Sequence, residues 1–228
     1  MALVWTATGN PTPIYNNYAN NPVTFSAVPI GAASADRVVI VGIVDKEGIS
    51  VPADAVTIAG STATKILSSV YSANDCISLY RLGVASGTTA NIVVTTGGLC
   101  HSIGILVGIL TGANPVPTAT ATQAMASVDD PLALSTNPTI PSGGVGVIFW
   151  GASEVGGLTY AWTNATQDYG LDRGGNGPTV SLARSTTAGS WNPSVDGQAW
   201  ITQGLVAAAW EPAVASGRNP VAMGFVLE

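Results

Sequence analysis

Charged residues are scarce in this sequence. Lys, Arg, Asp and Glu make up 9% of the 228 residues, against a typical share of about 25% in soluble domains. The formal net charge of −6 comes from 13 acids and 7 bases, and the bases form no cluster. A protein that neutralises a phosphate backbone needs a basic surface. We therefore exclude nucleic acid as a partner.

The side chains that most catalytic and metal sites require are also rare. The chain has one histidine, His101, and two cysteines, Cys76 and Cys100. Adjacent residues of a strand point to opposite faces, so Cys100 and His101 are not placed to act as nucleophile and base. Two Cys and one His cannot complete a closed zinc site without carboxylates. We predict no enzyme, no metal and no cofactor, and we expect both cysteines to be free thiols, as in proteins made in the cytosol.

Targeting and membrane signals are missing too. The N-terminus has no cationic segment followed by an apolar stretch, which a secretory signal requires. The longest apolar run, residues 103–110, is far shorter than the roughly 20 residues of a membrane helix. We predict no signal peptide and no membrane insertion.

Strand patterns fill the chain, whereas no long stretch keeps the apolar spacing of a helix. The short β-branched or aromatic runs are bounded by Gly, Pro, Asn and Ser, as strands usually are. They cover residues 23–28, 37–44, 76–82, 91–95, 103–110, 145–150, 158–162, 179–183, 205–210 and 221–227. Some runs are continuously apolar and others alternate with polar residues, which is typical of a β-sandwich. We predict an all-β fold with a single β-sandwich.

An internal repeat, at an offset of about 103 residues, is the most informative feature. Four blocks match in the same order: 38–41 with 145–148, 61–65 with 163–167, 77–81 with 180–184, and 105–110 with 205–210. Neither half alone could cover its apolar face, so we predict that two related halves pack together as one sandwich.

The repeat suggests a division of the chain. Residues 1–36 are predicted to be an N-terminal strand with an Asn- and Pro-rich arm, and residues 37–212 the sandwich. The halves of the sandwich are residues 37–112 and 144–212, joined by a bridge at 113–143. Residues 213–228 form a strand-like tail, which we expect to pair with a neighbouring subunit.

This arrangement resembles a family of β-sandwich proteins from tailed phages, prophages and some bacterial surfaces. The resemblance covers about residues 37–212 and lies in three patterns: an alternating strand at 77–81, a strand ending in a small polar turn at 109–112, and the aromatic-acidic-proline ending at 209–212. It implies a jelly-roll-like topology and a role in a virion or on a surface. It transfers no catalytic residues.

We therefore expect a non-enzymatic structural component of a phage or phage-like particle, such as a head or neck decoration, a fibre or a tail-associated protein. Its location would be the virion, assembled in the host cytoplasm, and its partners other virion proteins and further copies of itself. One alternative is a carbohydrate-binding or adhesin module that binds a cell-surface glycan. A second is a glycan-cleaving sandwich enzyme, for which Glu154 and Glu211 are the candidate carboxylates.

Aromatic residues are the candidate contacts for a ligand or partner. Trp150, Trp162 and Trp210 lie in strands, and we assign them to the core or an interface. Gly, Asn, Pro and Asp flank another pair of tryptophans, and an Asn-rich opening contains two tyrosines. The predicted exposed contacts are Trp191, Trp200, Tyr15 and Tyr18.

Overall fold

The computed structural model describes residues 2–9, 14–15, 21–46, 55–72, 75–97, 102–126, 132–153, 161–171, 179–196 and 202–214. Within these ranges every regular element is a β-strand. The predicted all-β fold is therefore confirmed.

The strands are short and, in every described pairing, antiparallel. They are β1 (Val4–Gly9), β2 (Ile14–Tyr15), β3 (Val23–Pro29), β4 (Val38–Lys46), β5 (Ala55–Ile58), β6 (Ser61–Thr62), β7 (Thr64–Val70), β8 (Cys76–Gly83), β9 (Thr89–Thr95), β10 (Ser102–Thr111), β11 (Ala119–Ala126), β12 (Leu132–Ala133), β13 (Thr139–Ile140), β14 (Val145–Ser153), β15 (Ala161–Thr163), β16 (Thr166–Leu171), β17 (Thr179–Ser185), β18 (Gly189–Ser190), β19 (Ser194–Asp196) and β20 (Thr202–Trp210).

The described strands form four layers of sheet. The first inner sheet has the order β1-β10-β4-β8-β7, with β2 also pairing with β10, and the second inner sheet has the order β11-β20-β14-β17-β16. The first outer sheet is β3-β9-β5-β6. The second outer layer consists of two small sheets, β12-β19-β15 and β13-β18.

A hydrophobic core fills each of the three gaps between layers. The first core joins the first outer and first inner sheets through residues such as Phe25, Val41 and Ile92. The central core joins the two inner sheets, and the third joins the second inner sheet to the second outer layer. Both inner sheets are thus apolar on both faces, which explains the continuous apolar runs of their central strands.

The pairing registers confirm that the fold is built from two related halves. Arg81 lies opposite Ile40 and Thr64 in the first inner sheet, and Arg184 lies opposite Val147 and Thr166 in the second. These partners are the ones that the sequence repeat aligns. Both inner sheets also have a register shift at the same place, between Lys65 and Leu67 in β7 and between Gln167 and Tyr169 in β16.

The two inner sheets pack face to face in reversed order. β1 packs over β16, β10 over β17, β4 over β14, β8 over β20 and β7 over β11. A two-fold rotation about an axis parallel to the strands would therefore place each strand of the first inner sheet on its repeat equivalent in the second. The central strands β4 and β14 are equivalents that face each other on this pseudo-two-fold axis.

Equivalent positions on this axis differ in size. A Cβ atom at Gly42 of β4 would overlap the ring of Phe149 of β14, its repeat equivalent. Two residues further along both strands, the large side chain belongs to β4 and the glycine to β14. A Cβ at Gly151 would collide with Val44, again its repeat equivalent. Large and small side chains thus interlock where an exact two-fold would oppose identical residues.

The structure adds to the sequence prediction in two ways. The halves do pack as a sandwich, but each also covers the other face of its inner sheet with its own outer strands. The repeat also extends beyond its predicted limits: β1 and β3, from the predicted arm at 1–36, belong to the sheets of the first half, and β11, from the predicted bridge, belongs to the second. Of the predicted tail, 213–228, only residues 213–214 lie in the described part.

A buried arginine closes one end of the first half. The Arg37 side chain is 1% exposed. Its guanidinium donates hydrogen bonds to six main-chain carbonyls, those of Ile30, Gly31, Ala32, Val84, Ser86 and Gly87. Because five guanidinium N–H groups are shared among these acceptors, the two loops around Arg37 are tied to one side chain.

Candidate functional site

The structure describes the side chain of only one predicted exposed contact, Trp191. Trp191 is only 4% exposed, which corrects the prediction: its ring packs against Gly146 of β14, and its Nε1 donates to the Asn164 carbonyl at 2.8 Å. The Gly, Asn and Pro residues around Trp191 do indicate a turn. That turn places the indole over Gly146, so the side chain is buried although its neighbours are typical of a surface loop. Trp200 and Tyr18 lie outside the described residues, and for Tyr15 only the backbone is described, in β2.

The tryptophans assigned to the core are placed as predicted. Trp150 and Trp210 are fully buried. Trp162 is half-buried against the third core, and its Nε1 donates to the Ser181 hydroxyl at 3.0 Å.

A polar cleft lies beside Arg184 on the surface of the second half. We call it the Arg184 cleft, and its volume is about 560 Å3. Its lining residues are Asn164, Ala165, Thr166, Arg184, Ser185, Thr186, Thr187, Ser190, Trp191 and Asn192. Hydroxyl and amide groups thus dominate the walls, whereas typical ligand pockets are mainly apolar.

Arg184 is fixed in the wall of the cleft by a buried carboxylate. Its Nη1 lies 3.0 Å from Oδ1 of Asp168 in β16, and Trp5 of β1 donates from its Nε1 to Oδ2 of the same carboxylate at 2.7 Å. Burial raises the pKa of Asp168, although the Trp5 hydrogen bond and the Arg184 charge both act to lower it. The guanidinium is 36% exposed, so it is held in place yet still faces the cleft.

The cleft continues across the seam between the halves. A second depression, of about 500 Å3, shares Thr166, Arg184 and Thr186 with it and extends to Trp5 and Gly144. Arg184 therefore lies in the middle of a groove with one wall from the second half and one from β1. The sequence does not reveal this group because Trp5 and Asp168 are 163 residues apart. One signal was available: Arg184 ends the matched block 180–184 in a chain with only 7 basic residues.

A second group of polar residues lies buried at the opposite end of the first inner sheet. Asp45 is 2% exposed, and one of its carboxylate oxygens has no hydrogen-bond partner in the described part. Burial, with a smaller contribution from Asp75, raises the pKa of Asp45 to about 7. The pKa of the buried Tyr71 hydroxyl is also raised, first by burial and then by Asp75. These side chains are enclosed, so they do not form an open site in the described structure.

Of the two carboxylates considered for glycan cleavage, Glu211 alone lies in the described part of the chain. It follows β20 at the end where β14 begins, and its Oε1 accepts from Asn114 at 3.2 Å. Glu154 lies outside the described residues, and the candidate pair stays a prediction.

Few described residues bear on the predictions about metal sites, membrane insertion and the two cysteines. Among the described residues, no group of three His, Cys, Asp or Glu side chains is placed to hold a metal ion, and no helix is long and apolar enough to cross a membrane. Cys76 is buried, while Cys100 and His101 lie outside the described residues. The free-thiol state of the pair stays a prediction.

Comparisons with known proteins give little further. No protein-family model matches the chain, and no curated protein does. A conserved protein of unknown function from Pseudomonas aeruginosa PAO1 is similar in structure, with 8% identity and a TM-score of 0.31 over 82% of this chain and 78% of that one. The VP2 subviral particle of infectious bursal disease virus gives 11% identity and a TM-score of 0.26 over 92% of this chain and 41% of that one.

Proposed function

We propose that the protein is a non-enzymatic structural component of a phage or phage-like particle, such as a head or neck decoration, a fibre or a tail-associated protein. It would be assembled in the host cytoplasm, with other virion proteins and further copies of itself as partners. The observation that carries this proposal is the strand order of the two halves.

Both halves support a jelly-roll interpretation. If interrupted strands are joined (β1 with β2, β6 with β7, β12 with β13 and β18 with β19), each half has eight strand positions. The inner sheets then have the order 1-8-3-6, with position 5 at the edge, and the outer layers the order 2-7-4. This order fits a jelly roll, an architecture that builds viral capsid and lectin domains, and so supports the proposal.

The outer surface of the first half supports an assembly role. Among the described residues, the exposed face of the first outer sheet carries no charge; it includes Thr24, Ser26, Ala55, Thr57, Thr89, Asn91, Val93 and Thr95. A free monomer normally spreads charges over such a face, whereas the centres of protein interfaces are depleted in charge. An uncharged sheet face therefore suits permanent contact with another protein.

Particle fractionation tests the proposal. Particles released from cells that carry the gene are banded by density, and the chain is measured by quantitative mass spectrometry against the most abundant particle protein. We expect a fixed ratio across the band. A Thr57→Lys/Asn91→Lys variant, charged on the neutral face, should lose this co-banding, whereas the control Thr187→Lys, in the Arg184 cleft, should keep it. A wild-type chain found only in the unbanded protein would refute the particle role.

The Arg184 cleft favours glycan binding as a second candidate function. Because Asp168 neutralises Arg184, the cleft offers hydroxyls, amides and a fixed guanidinium to a ligand without a net charge. These are the partners that a neutral carbohydrate, rich in hydroxyl groups, would require. A glycan array with wild type and Thr186→Val/Asn192→Leu tests this function. Binding that the double variant loses would support it, and an array without any hit would refute it.

A further inference from the structure

The groove around Arg184 reaches from the second half into the first. The Arg184 cleft includes Ser190 of β18, in the second outer layer, and Thr166 of β16, in the second inner sheet. The depression that continues from it includes Trp5 of β1, in the first inner sheet. Three successive layers therefore contribute to one groove. Because packed sheets lie about 10 Å apart, the groove extends over roughly 20 Å, which is the length of several sugar rings.

The lining of this groove has almost no charge. Among the described residues that line the two depressions, Arg184 alone is charged. Its guanidinium is paired at 3.0 Å with the carboxylate of Asp168, a side chain that is 8% exposed. Most other polar groups of the lining are hydroxyls and amides, such as those of Thr186 and Asn192, which can both donate and accept hydrogen bonds. A polyanion would require a cationic surface, so these walls suit a neutral ligand rich in hydroxyl groups.

Hydrogen bonds hold the walls of the groove in place. At the outer end, Trp191 donates from its Nε1 to the Asn164 carbonyl at 2.8 Å, and Asn164 donates from its Nδ2 to the Asn192 carbonyl at 3.0 Å. At the seam between the halves, Trp5 donates from its Nε1 to Asp168 at 2.7 Å. A ligand would therefore meet walls that need little further ordering, which lowers the entropic cost of binding.

We infer that the groove binds a linear, neutral polysaccharide lengthwise, with the chain passing Arg184 and contacting both halves. This inference rests on the glycan-binding function proposed for the Arg184 cleft and names the form of its ligand. A single sugar would contact only one part of the groove, whereas an extended chain can bind to all three layers. An extended peptide fits less well, because strand addition requires a regular sheet edge, and the edge strand β16 has a register shift between Gln167 and Tyr169.

Neutral oligosaccharides of increasing length provide the first test. Glucan, galactan and mannan fragments, from monosaccharide to octasaccharide, are titrated into the protein by calorimetry. We expect the hexasaccharide of at least one series to bind at least about tenfold more tightly than its disaccharide, because only the longer chain spans the groove. Equal affinities would overturn the lengthwise mode, and the glycan-binding function would still stand if Thr186→Val/Asn192→Leu abolished the binding. Binding of none of the fragments would overturn both.

An obstruction between the two depressions tests whether the chain crosses the seam. Thr166 is exposed and belongs to both depressions, so the indole of Thr166→Trp should reduce the ratio of hexasaccharide to disaccharide affinity to about one. The matched control is Thr64→Trp, at the repeat equivalent of Thr166. Thr64 is also exposed but lies outside the groove, so this variant should keep the full ratio. A ratio that Thr166→Trp leaves unchanged would contradict the inference.

Circular dichroism and thermal melting establish that both variants are folded. If Thr166→Trp is not, hydrogen exchange of the wild type with saturating hexasaccharide replaces it, and the amides of residues 3–5 and 190–192 should both gain protection. Protection of only one segment would refute a chain that crosses the seam. A neutral, Ser- and Thr-rich peptide that binds more tightly than every oligosaccharide would overturn the polysaccharide assignment in favour of a polypeptide.

Discussion

The two halves have the same strand order but are secured differently. The first half has a continuous four-stranded outer sheet, while the second has two small sheets made of two- and three-residue strands. Arg37, which closes the first half, has a glycine, Gly144, as its repeat equivalent. Both residues donate their main-chain amide to the carbonyl three residues earlier, but only Arg37 has a side chain that binds the surrounding loops. The inner sheets thus preserve register, while loops and outer strands diverge, because the inner sheets are packed on both faces.

The largest expected effect comes from the arginine that only the first half has. Arg37→Met removes the donors for six carbonyls, several of them buried, and should lower the free energy of unfolding by about 4 kcal/mol. Urea unfolding measures it. The control Arg81→Met, on a half-exposed arginine of β8, should cost less than about 1 kcal/mol. Equal losses would mean that the carbonyl cage contributes nothing specific.

The next effect tests the interlocking of the halves. Gly42→Val places methyl groups where the Phe149 ring lies and should cost about 3 kcal/mol. Combined with Phe149→Ala, it should cost less than the sum of the two single changes, with a coupling of about 1–3 kcal/mol. Gly83→Ala serves as the control, because the nearest atom to its new Cβ is 4.0 Å away. Additive costs would contradict direct packing at the axis.

A smaller effect, of opposite sign, comes from Asp45, whose equivalent in the second half is the buried Ala152. Folding raises the pKa of Asp45 to about 7, so the folded protein keeps a proton that the unfolded chain loses above about pH 4. The contribution of Asp45 to stability therefore falls as pH rises from 4 to 7 and is then constant. Asp45→Asn should stabilise the protein at pH 8 by about 2 kcal/mol and change little at pH 4.

Asp36 supplies the control for this pH dependence. The Ser34 hydroxyl and then the Gly112 amide lower its pKa, so Asp36→Asn should destabilise the protein at neutral pH, and this loss should shrink as pH falls below the usual Asp range. If Asp36→Asn and Asp45→Asn changed the pH profile in the same direction, the assignment of a buried, protonated Asp45 would fail.

The smallest effect concerns the tryptophan that links the halves at the groove. Trp5→Phe removes the hydrogen bond to Asp168 and should cost about 1 kcal/mol at pH 7. The cost should be lower at pH 4, where more of the Asp168 carboxyl is protonated and the lost bond is no longer to a charge. Trp162→Phe, which removes a bond between two groups of the second half, should show no such difference. Urea titrations at both pH values decide the matter.

The inner sheets could be predicted from sequence because their long strands are visible as runs of apolar and β-branched residues. The blocks 77–81 and 180–184 share few identities, yet the sequence repeat aligns residues that have equivalent partners in the two inner sheets. The outer strands were harder, since β12, β13 and β18 have two residues each and leave no periodicity. Arg37 could not be recognised either, because its partners are carbonyls that every residue has. Trp191 was assigned to the surface because its neighbours indicate a turn but not what the turn covers.

The alternation of Gly42 with Phe149 and of Val44 with Gly151 determines which halves can associate. Two first halves brought together would oppose Gly42 to Gly42, leaving a hole, beside two valines in collision. Two second halves would oppose phenylalanines. A first half therefore packs better against a second half than against another first half, and the same holds for two second halves. For nascent chains folding side by side, this disfavours contacts between two first halves or two second halves, whereas the first half of one chain and the second half of another would fit as well as the halves of a single chain.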